Sequence, residues 1–264
     1  MFSLPNLLTA GNLLSGVLAV LLAVTGRIDL APFAVLLGLL FDFLDGFAAR
    51  MLKKSGEMGK QLDSLADMIT FGVAPGLIMM GVLIVTTADA GEFSYFSRDY
   101  YSQWVHRAIH LKDINYLPLV ALTIPFFALF RLAKFNIDKR QSESFIGLPT
   151  PANTLLFMSF PLALGVSVRV ADINEQLWTF LFNPWLISIC IIAFSVLMVV
   201  DLPLFSLKFK HFKVKGNGIR YLFLLISLGL ILFFKVWAFA LIVFLYLILS
   251  LVENTFFKKN RNEV

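Results

Sequence analysis

The sequence lacks most of what a soluble enzyme of its length would use. It has one cysteine, Cys190, set in an apolar run. That excludes a disulfide framework and a thiolate metal cluster and leaves a small packing residue. Histidine is nearly as scarce, at three. His106 and His110 stand four apart and would share a helical face, but Arg107 replaces the Glu of the HExxH pattern and no third ligand is evident, so no zinc site is expected. Charged residues are only 15% of the chain, against about 25% in an ordinary soluble domain. No internal repeat or low-complexity stretch is present. The net charge is +5 and the isoelectric point about 9.3, yet the basic residues are scattered between apolar runs. No nucleic-acid surface is expected, and anionic lipid head groups are the expected partner. The N-terminus has no basic n-region, Arg27 being the first positive side chain. The first apolar stretch therefore reads as a retained span rather than a cleaved signal peptide, and no export is implied.

Apolar length is what the sequence has. Apolar residues fill 59% of 264 positions, 28 of them Phe, and the mean hydropathy is +0.83. Stretches such as Tyr221 to Phe234 are apolar around the whole helical circumference, so lipid rather than a water-excluding core must solvate them. At about 20 apolar residues per crossing, spans are expected near 4–25, 30–52, 60–85, 116–136, 149–170, 185–205, 219–235 and 237–257. The last two are separated only by the Lys235 region and can form a tight hairpin. The expected fold is an all-α integral membrane protein of about eight transmembrane helices, with its chemistry between the second and third at the cytoplasmic interface. Residues 1–205 would form a membrane domain, and 206–264 a cytoplasmic basic loop plus two C-terminal transmembrane helices.

Placing both termini in the cytoplasm leaves only Arg27, Arg98, Arg107, Lys112, Arg169 and Lys235 outside, 6 of 22 positive residues. The positive-inside rule favours this orientation, in the cell membrane, and makes the Lys53–Lys60 loop cytoplasmic. The longest polar connection, Asp89 to Asn115, is rich in Tyr and Trp and is expected to hold an interfacial helix on the outer side.

Four carboxylates interrupt this apolar pattern. An acidic side chain costs at least about 2.5 kcal/mol at the centre of a membrane helix. Asp42 and Asp45 end the second span, and Asp63 and Asp67 open the third. Spacings of three and four put each pair on one helical face, and a hairpin through the Lys53–Lys60 loop would bring the pairs together. Crowded carboxylates repel and tend to take up protons unless cations neutralise them. All-oxygen ligation without nearby Cys or His selects hard ions, Mg²⁺ or Mn²⁺, and two ions sharing four Asp is an arrangement that clamps a transferring phosphoryl group. Gly46 and Ala49 leave no bulk beside the acids, Gly56 and Gly59 loosen the following loop, and Arg50 is suited to phosphate oxygens. Taken singly, these small residues would serve helix packing equally well, and Arg50 would serve as a positive-inside anchor.

The pattern Asp-x2-Asp-Gly-x2-Ala-Arg-x8-Gly-x3-Asp-x3-Asp, running unbroken from Asp42 to Asp67, resembles the signature of the CDP-alcohol phosphatidyltransferases. It fixes eight identities over 26 positions. Leu4-Pro5-Asn6-Leu7-Leu8-Thr9, Asp63-Ser64-Leu65-Ala66-Asp67 with Phe71-Gly72-Val73-Ala74-Pro75-Gly76, and Arg131-Leu132-Ala133-Lys134-Phe135-Asn136 are similar to the phosphatidylserine synthase branch of that family. Gly147-Leu148-Pro149-Thr150-Pro151 and Leu197-Met198-Val199 are weaker echoes. Lys134 stands where that branch is expected to carry Arg. The resemblance covers roughly residues 4 to 205.

The resemblance implies a helical, often dimeric membrane enzyme that moves a phosphatidyl group from CDP-diacylglycerol to an alcohol and releases CMP. Asp42, Asp45, Asp63 and Asp67 would hold two divalent ions, with Asp67 also the base. Asn6, Thr9, Gly46, Ala49, Arg50, Gly56 and Gly59 would receive the CDP-lipid, although helix capping alone would explain Asn6 and Thr9. Arg131, Lys134 and Asn136 would bind L-serine, or serve only as membrane anchors. Glycerol 3-phosphate or inositol phosphate as acceptor, and a carrier of divalent cations, remain alternatives at this point.

Overall fold

The structure, a computed structural model, describes residues 3–53, 56–87, 99–110, 115–138, 145–165, 175–205 and 217–257. The basic loop expected over 206–216 lies outside the described residues, as do Lys54, Arg98, Lys112, Lys139, Arg140, Arg169, Lys258, Lys259 and Arg261.

Helices α1 (Leu4–Val24) and α2 (Ala31–Met51) each carry Pro in the first turn, where the missing N–H costs nothing. The third helical stretch runs unbroken over Glu57–Thr87. It comprises α3 (Glu57–Asp67), one π-helical segment (Met68–Val73) and α4 (Ala74–Thr87). The Asp89 to Asn115 connection holds a helix, α5 (Asp99–His110), where the His106 and His110 rings lie 4.4 Å apart. A 3₁₀ turn over Leu117–Leu122 leads into α6 (Thr123–Ile137). Helices α7 (Thr150–Gly165), α8 (Glu175–Leu181) and α9 (Pro184–Leu197) follow, the last capped by the Asn183 side chain.

The final pair, α10 (Gly218–Phe234) and α11 (Ala238–Val252), is joined through Lys235 at φ 47°. Phe223 of α10 meets Tyr246 of α11 with ring centroids 6.0 Å apart, so the pair folds back as the expected hairpin.

Among the described residues, five helical stretches, Leu4–Val24, Ala31–Met51, Glu57–Thr87, Leu117–Ile137 and Gly218–Thr255, are long and apolar enough to cross a membrane. Large side chains such as Phe233, Leu225 and Leu14 project from the bundle, 83%, 70% and 67% exposed, as a lipid-facing surface requires. The fold is an all-α membrane bundle.

Two expectations need correction. The span expected over 185–205 stops at Leu197, because Pro203–Leu204 (β2) leaves the helical path to pair antiparallel with Phe145–Ile146 (β1). Gly59 is not in a loop. Helix α3 already begins at Glu57 with Gly56 as its N-cap, so the connection from α2 is shorter than the Lys53–Lys60 loop expected.

The bundle closes around Thr70 in the π-helical segment. A Cβ on Gly16 of α1 would lie 2.3 Å from Thr70 Oγ1 and 2.9 Å from its Cα, and one on Gly38 of α2 would lie 2.5 Å from Thr70 Cγ2. Helix α1 therefore reaches the third at backbone distance and α2 closes on the Thr70 methyl, the small-residue packing that membrane helices use in place of a hydrophobic driving force. Thr70 Oγ1 donates to the Asn12 carbonyl at 3.0 Å and fixes α1 in depth. This contact lies three positions after Asp67, inside the π-helical segment.

Gly16→Ala should lower the melting temperature in detergent, a cost of about 1–3 kcal/mol for overpacking against backbone. Gly46→Ala, with no atom within 4 Å of the new methyl, should not lower it. Equal melting temperatures would show that α1 can move away from Thr70.

Candidate active site

Asp42 and Asp45 sit in the last turns of α2, and Asp63 and Asp67 on α3, with α1 packed against both helices. One carboxylate oxygen from each of Asp42, Asp63 and Asp67 lies within 4.8 Å of the other two. Two like charges at about 4 Å repel by about 4 kcal/mol even at an effective dielectric of 20. Among the described residues no Lys or Arg forms an ion pair with any of the four Asp. A hard cation holding oxygens at about 2.0–2.6 Å keeps them up to about 4–5 Å apart, so the three carboxylates fit one such ion.

Asp45 stands apart from this trio. Its Oδ2 accepts a 2.6 Å hydrogen bond from Thr9 Oγ1 on α1, and it repels Asp42 and Asp63 at longer range. The expected clasp of two pairs is thus arranged as three carboxylates and one. Asp63 links them, because with Asp45 it also lines a cavity of about 380 Å³.

Pro5, Asn6 and Thr9 of α1, Gly46 and Ala49 of α2, and Gly56, Glu57, Gly59 and Lys60 form the remaining walls. All the residues expected to receive the CDP-lipid lie on these walls except Arg50, which is exposed one turn beyond Gly46. Gly46 and Gly56 have no atom within 4 Å of where a Cβ would stand. Their lack of a side chain leaves open space at the wall instead of permitting helix contact.

The residues expected to bind serine divide differently. Arg131 is buried at 3% exposure; its Nε donates to the Leu148 carbonyl at 3.3 Å and its guanidinium lies 5.2 Å from the Phe135 ring centroid. Among the described residues no carboxylate pairs with it. Lys134 is engaged by Asp201 and by the Val199 carbonyl at 3.3 Å. Asn136 Nδ2 donates to Ser64 Oγ at 2.8 Å, tying the end of α6 to the residue beside Asp63.

Sequence reasoning missed Asn12. Fully buried on α1, its Nδ2 donates to Asp67 Oδ1 at 3.0 Å while its backbone carbonyl accepts from Thr70. A signal for it exists, since Thr9, Asn12 and Gly16 recur at helical spacing and form a polar and small stripe on an otherwise apolar helix. Glu57 and Ser64 were also missed. Glu57 is a common surface residue type at a helix start, and Ser64, though inside the Asp63–Asp67 run, has no role assigned to it there.

The sequence profile of the CDP-alcohol phosphatidyltransferases matches residues 2–182. The chain belongs to the CDP-alcohol phosphatidyltransferase family. Members of this family generally work with divalent metal ions, in keeping with the carboxylate cluster. Among curated relatives, the chain is 30% identical over 210 residues to the CDP-diacylglycerol–serine O-phosphatidyltransferase of Bacillus subtilis, covering 80% of this chain and 91% of that one. It is 29% identical over 271 residues to the enzyme of the same name from Helicobacter pylori strain J99, covering 99% and 98%. The Saccharomyces cerevisiae enzyme of that name is 34% identical over 137 residues, 48% of this chain and 40% of that one. The family match ends before α9, whereas the Helicobacter match covers nearly the whole chain.

Asn12→Ala should weaken Mn²⁺ binding and lower transferase turnover by about 10- to 100-fold, the usual cost of losing a hydrogen bond that orients a metal ligand. Calorimetry with Mn²⁺ alone reads the first effect without substrate. Unaltered binding and turnover would remove Asn12 from the site.

Proposed function

We propose that this chain transfers the phosphatidyl group of CDP-diacylglycerol to the hydroxyl of L-serine, giving phosphatidylserine and CMP, with both termini and the site on the cytoplasmic side of the cell membrane. One juxtaposition carries the reading. A carboxylate trio and a buried Arg131, which among the described residues have no ion-pair partner, lie on helices joined beside the trio by the Asn136–Ser64 hydrogen bond. The names of the relatives and the positive-inside pattern support it.

The acyl chains remain in lipid, and the CDP head group enters the cavity beside Asp45 and Asp63. A volume of about 380 Å³ lies in the small-molecule range. Lys60 on its wall and Arg50 at its edge offer cations to phosphate oxygens. Asp42, Asp45, Asp63 and Asp67 would hold two Mg²⁺ or Mn²⁺ ions, whose charge, when bound, would orient the pyrophosphate and stabilise the departing CMP.

Serine enters from the cytosol. Arg131 would pair with its carboxylate, with Lys134 and Asn136 as auxiliary contacts. Asp67, held by Asn12, accepts the hydroxyl proton as the serine oxygen bonds to the lipid-side phosphorus. The bond from that phosphorus to the bridging oxygen breaks, and CMP leaves with the bonding pair. Holding the nucleophile in line supplies much of the rate, which is why an acceptor as small as serine needs a charged anchor.

Each single Asp→Asn substitution at the four positions should reduce transfer by orders of magnitude, and chelation should reproduce the loss. Asp67→Asn should keep measurable CDP-diacylglycerol binding while losing chemistry. Full turnover by a folded variant in metal-depleted buffer would refute the metal-dependent reading.

Arg131→Ala should raise the serine KM at least about tenfold, with CDP-diacylglycerol affinity within a few fold. An unchanged serine KM would return Arg131 to anchoring and reopen the choice of acceptor.

A further inference from the structure

The two weak sequence echoes, Gly147–Pro151 and Leu197–Val199, form one unit in the structure, and the C-terminal helix holds it in place. Gly147 N donates to the Leu202 carbonyl at 2.8 Å and Leu148 N to the Leu197 carbonyl at 2.9 Å. Gly147 has φ 79°, and a Cβ there would stand 2.4 Å from the Met198 carbonyl oxygen, so the contact admits only glycine. This fixes the Leu148 carbonyl that accepts from Arg131, while Val199 and Asp201 on the facing segment take Lys134.

The facing segment would be a short loop at the end of the bundle if α11 and the π-helical turn that continues it (Glu253–Phe257) did not grip it. Tyr246 Oη donates to the Phe205 carbonyl at 2.9 Å, Phe205 N donates to Ser250 Oγ at 3.4 Å, and Asn254 Nδ2 donates to the Pro203 carbonyl. Pro203 and Leu204 are the β2 residues that pair with Ile146 and Phe145, one step before Gly147. Tyr246 is 7% exposed, packs on Phe205 at 4.9 Å between centroids, and lies within electrostatic reach of Arg131. The chain of contacts therefore runs from α11 through β2 and β1 to the guanidinium.

We propose that α11 is the rear support of the acceptor pocket and that Tyr246 is a positioning residue for Arg131, acting through the Pro203–Phe205 strand and the Leu148 carbonyl. This rests on the reading of Arg131 as the anchor of the acceptor carboxylate. A last helix that served only as a membrane span would need none of these three polar side chains directed at one strand. Their hydrogen bonds set where the guanidinium sits in depth, and so which acceptors place a hydroxyl at the phosphorus.

The test is steady-state kinetics of the full chain in detergent micelles. Tyr246→Phe keeps the ring and removes only the hydroxyl. It should raise the serine KM about fivefold, within the range of one net hydrogen bond. Turnover at saturating serine and the CDP-diacylglycerol KM should stay within about twofold, a split that a general loss of folded enzyme does not produce. In an Arg131→Ala background the same change should alter the serine KM by less than about twofold, because the effect travels through Arg131. Ser250→Ala, which loosens the strand from a second point, should move the serine KM in the same direction and stands in if Tyr246→Phe does not fold. Should Arg131→Ala raise the serine KM while the variant on α11 leaves it unchanged or acts additively, the role of Tyr246 falls and Arg131 keeps its own. If Arg131→Ala leaves the serine KM unchanged, both fall together.

Discussion

The Asn12 carboxamide and carbonyl decide where everything else in the site can be. One end of this fully buried residue accepts from Thr70 and the other donates to Asp67. The depth of α1 and the orientation of a carboxylate on α3 thus become a single variable. The two contacts are only three residues apart on the long helix, Asp67 at the end of α3 and Thr70 within the π-helical segment that follows, so both meet α1 at Asn12 while Thr70 also packs against Gly16 and Gly38. Thr9, one turn before Asn12, is carried to Asp45 by the same docking. The first helix therefore carries no acid yet touches two of the four.

The electrostatics of the cluster follow from that docking. Helix packing holds three carboxylates within 4.8 Å of one another, and no protein cation relieves them among the described residues. Such a site costs folding energy, which proton uptake by the carboxylates or a bound divalent cation would relieve. Asp45 is relieved separately by the Thr9 hydroxyl and faces the cavity. The arrangement is asymmetric, with one dense anionic point and one hydrogen-bonded carboxylate beside open space. That suits a pyrophosphate with two chemically different phosphorus atoms.

Much of this was legible in the sequence wherever a residue was costly in its surroundings. Acids in apolar helices have few structural explanations, so Asp42, Asp45, Asp63 and Asp67 stood out and their helices were placed to within a few residues. Gly46 was legible as empty space through its place in the motif. Asn12 was not, because a lone Asn in a membrane helix is as readily a packing or capping residue, and its partner lies on another helix. The π turn left no trace, since Thr70, Phe71 and Gly72 are compatible with an ordinary α-helix. The end of α9 was misplaced by several residues because Met198–Phe205 is apolar enough to continue a span. Its pairing with Phe145–Ile146 and its hydrogen bonds to Gly147, Tyr246, Ser250 and Asn254, all remote in sequence, turn it aside.

The helices divide the chemistry by position along the chain. Helices α1 to α3 supply the carboxylates and the walls of the cavity, whereas Arg131 is held by segments near residues 148 and 204 that α11 fixes from behind. The two halves meet through the Asn136–Ser64 hydrogen bond and through α6 packed on the π-helical segment. A hydrogen bond transmits displacement in both directions. Moving α3 would displace Ser64 and with it the end of α6, and moving α6 would pull on Ser64 beside Asp63. Helix α11 packs on α7, whose Thr154 hydroxyl donates to the Phe71 carbonyl of the π-helical segment, a second route between the halves. Close contacts constrain both: Gly16 and Gly38 against Thr70 on one side, and Gly147 against Met198 on the other, where only glycine fits.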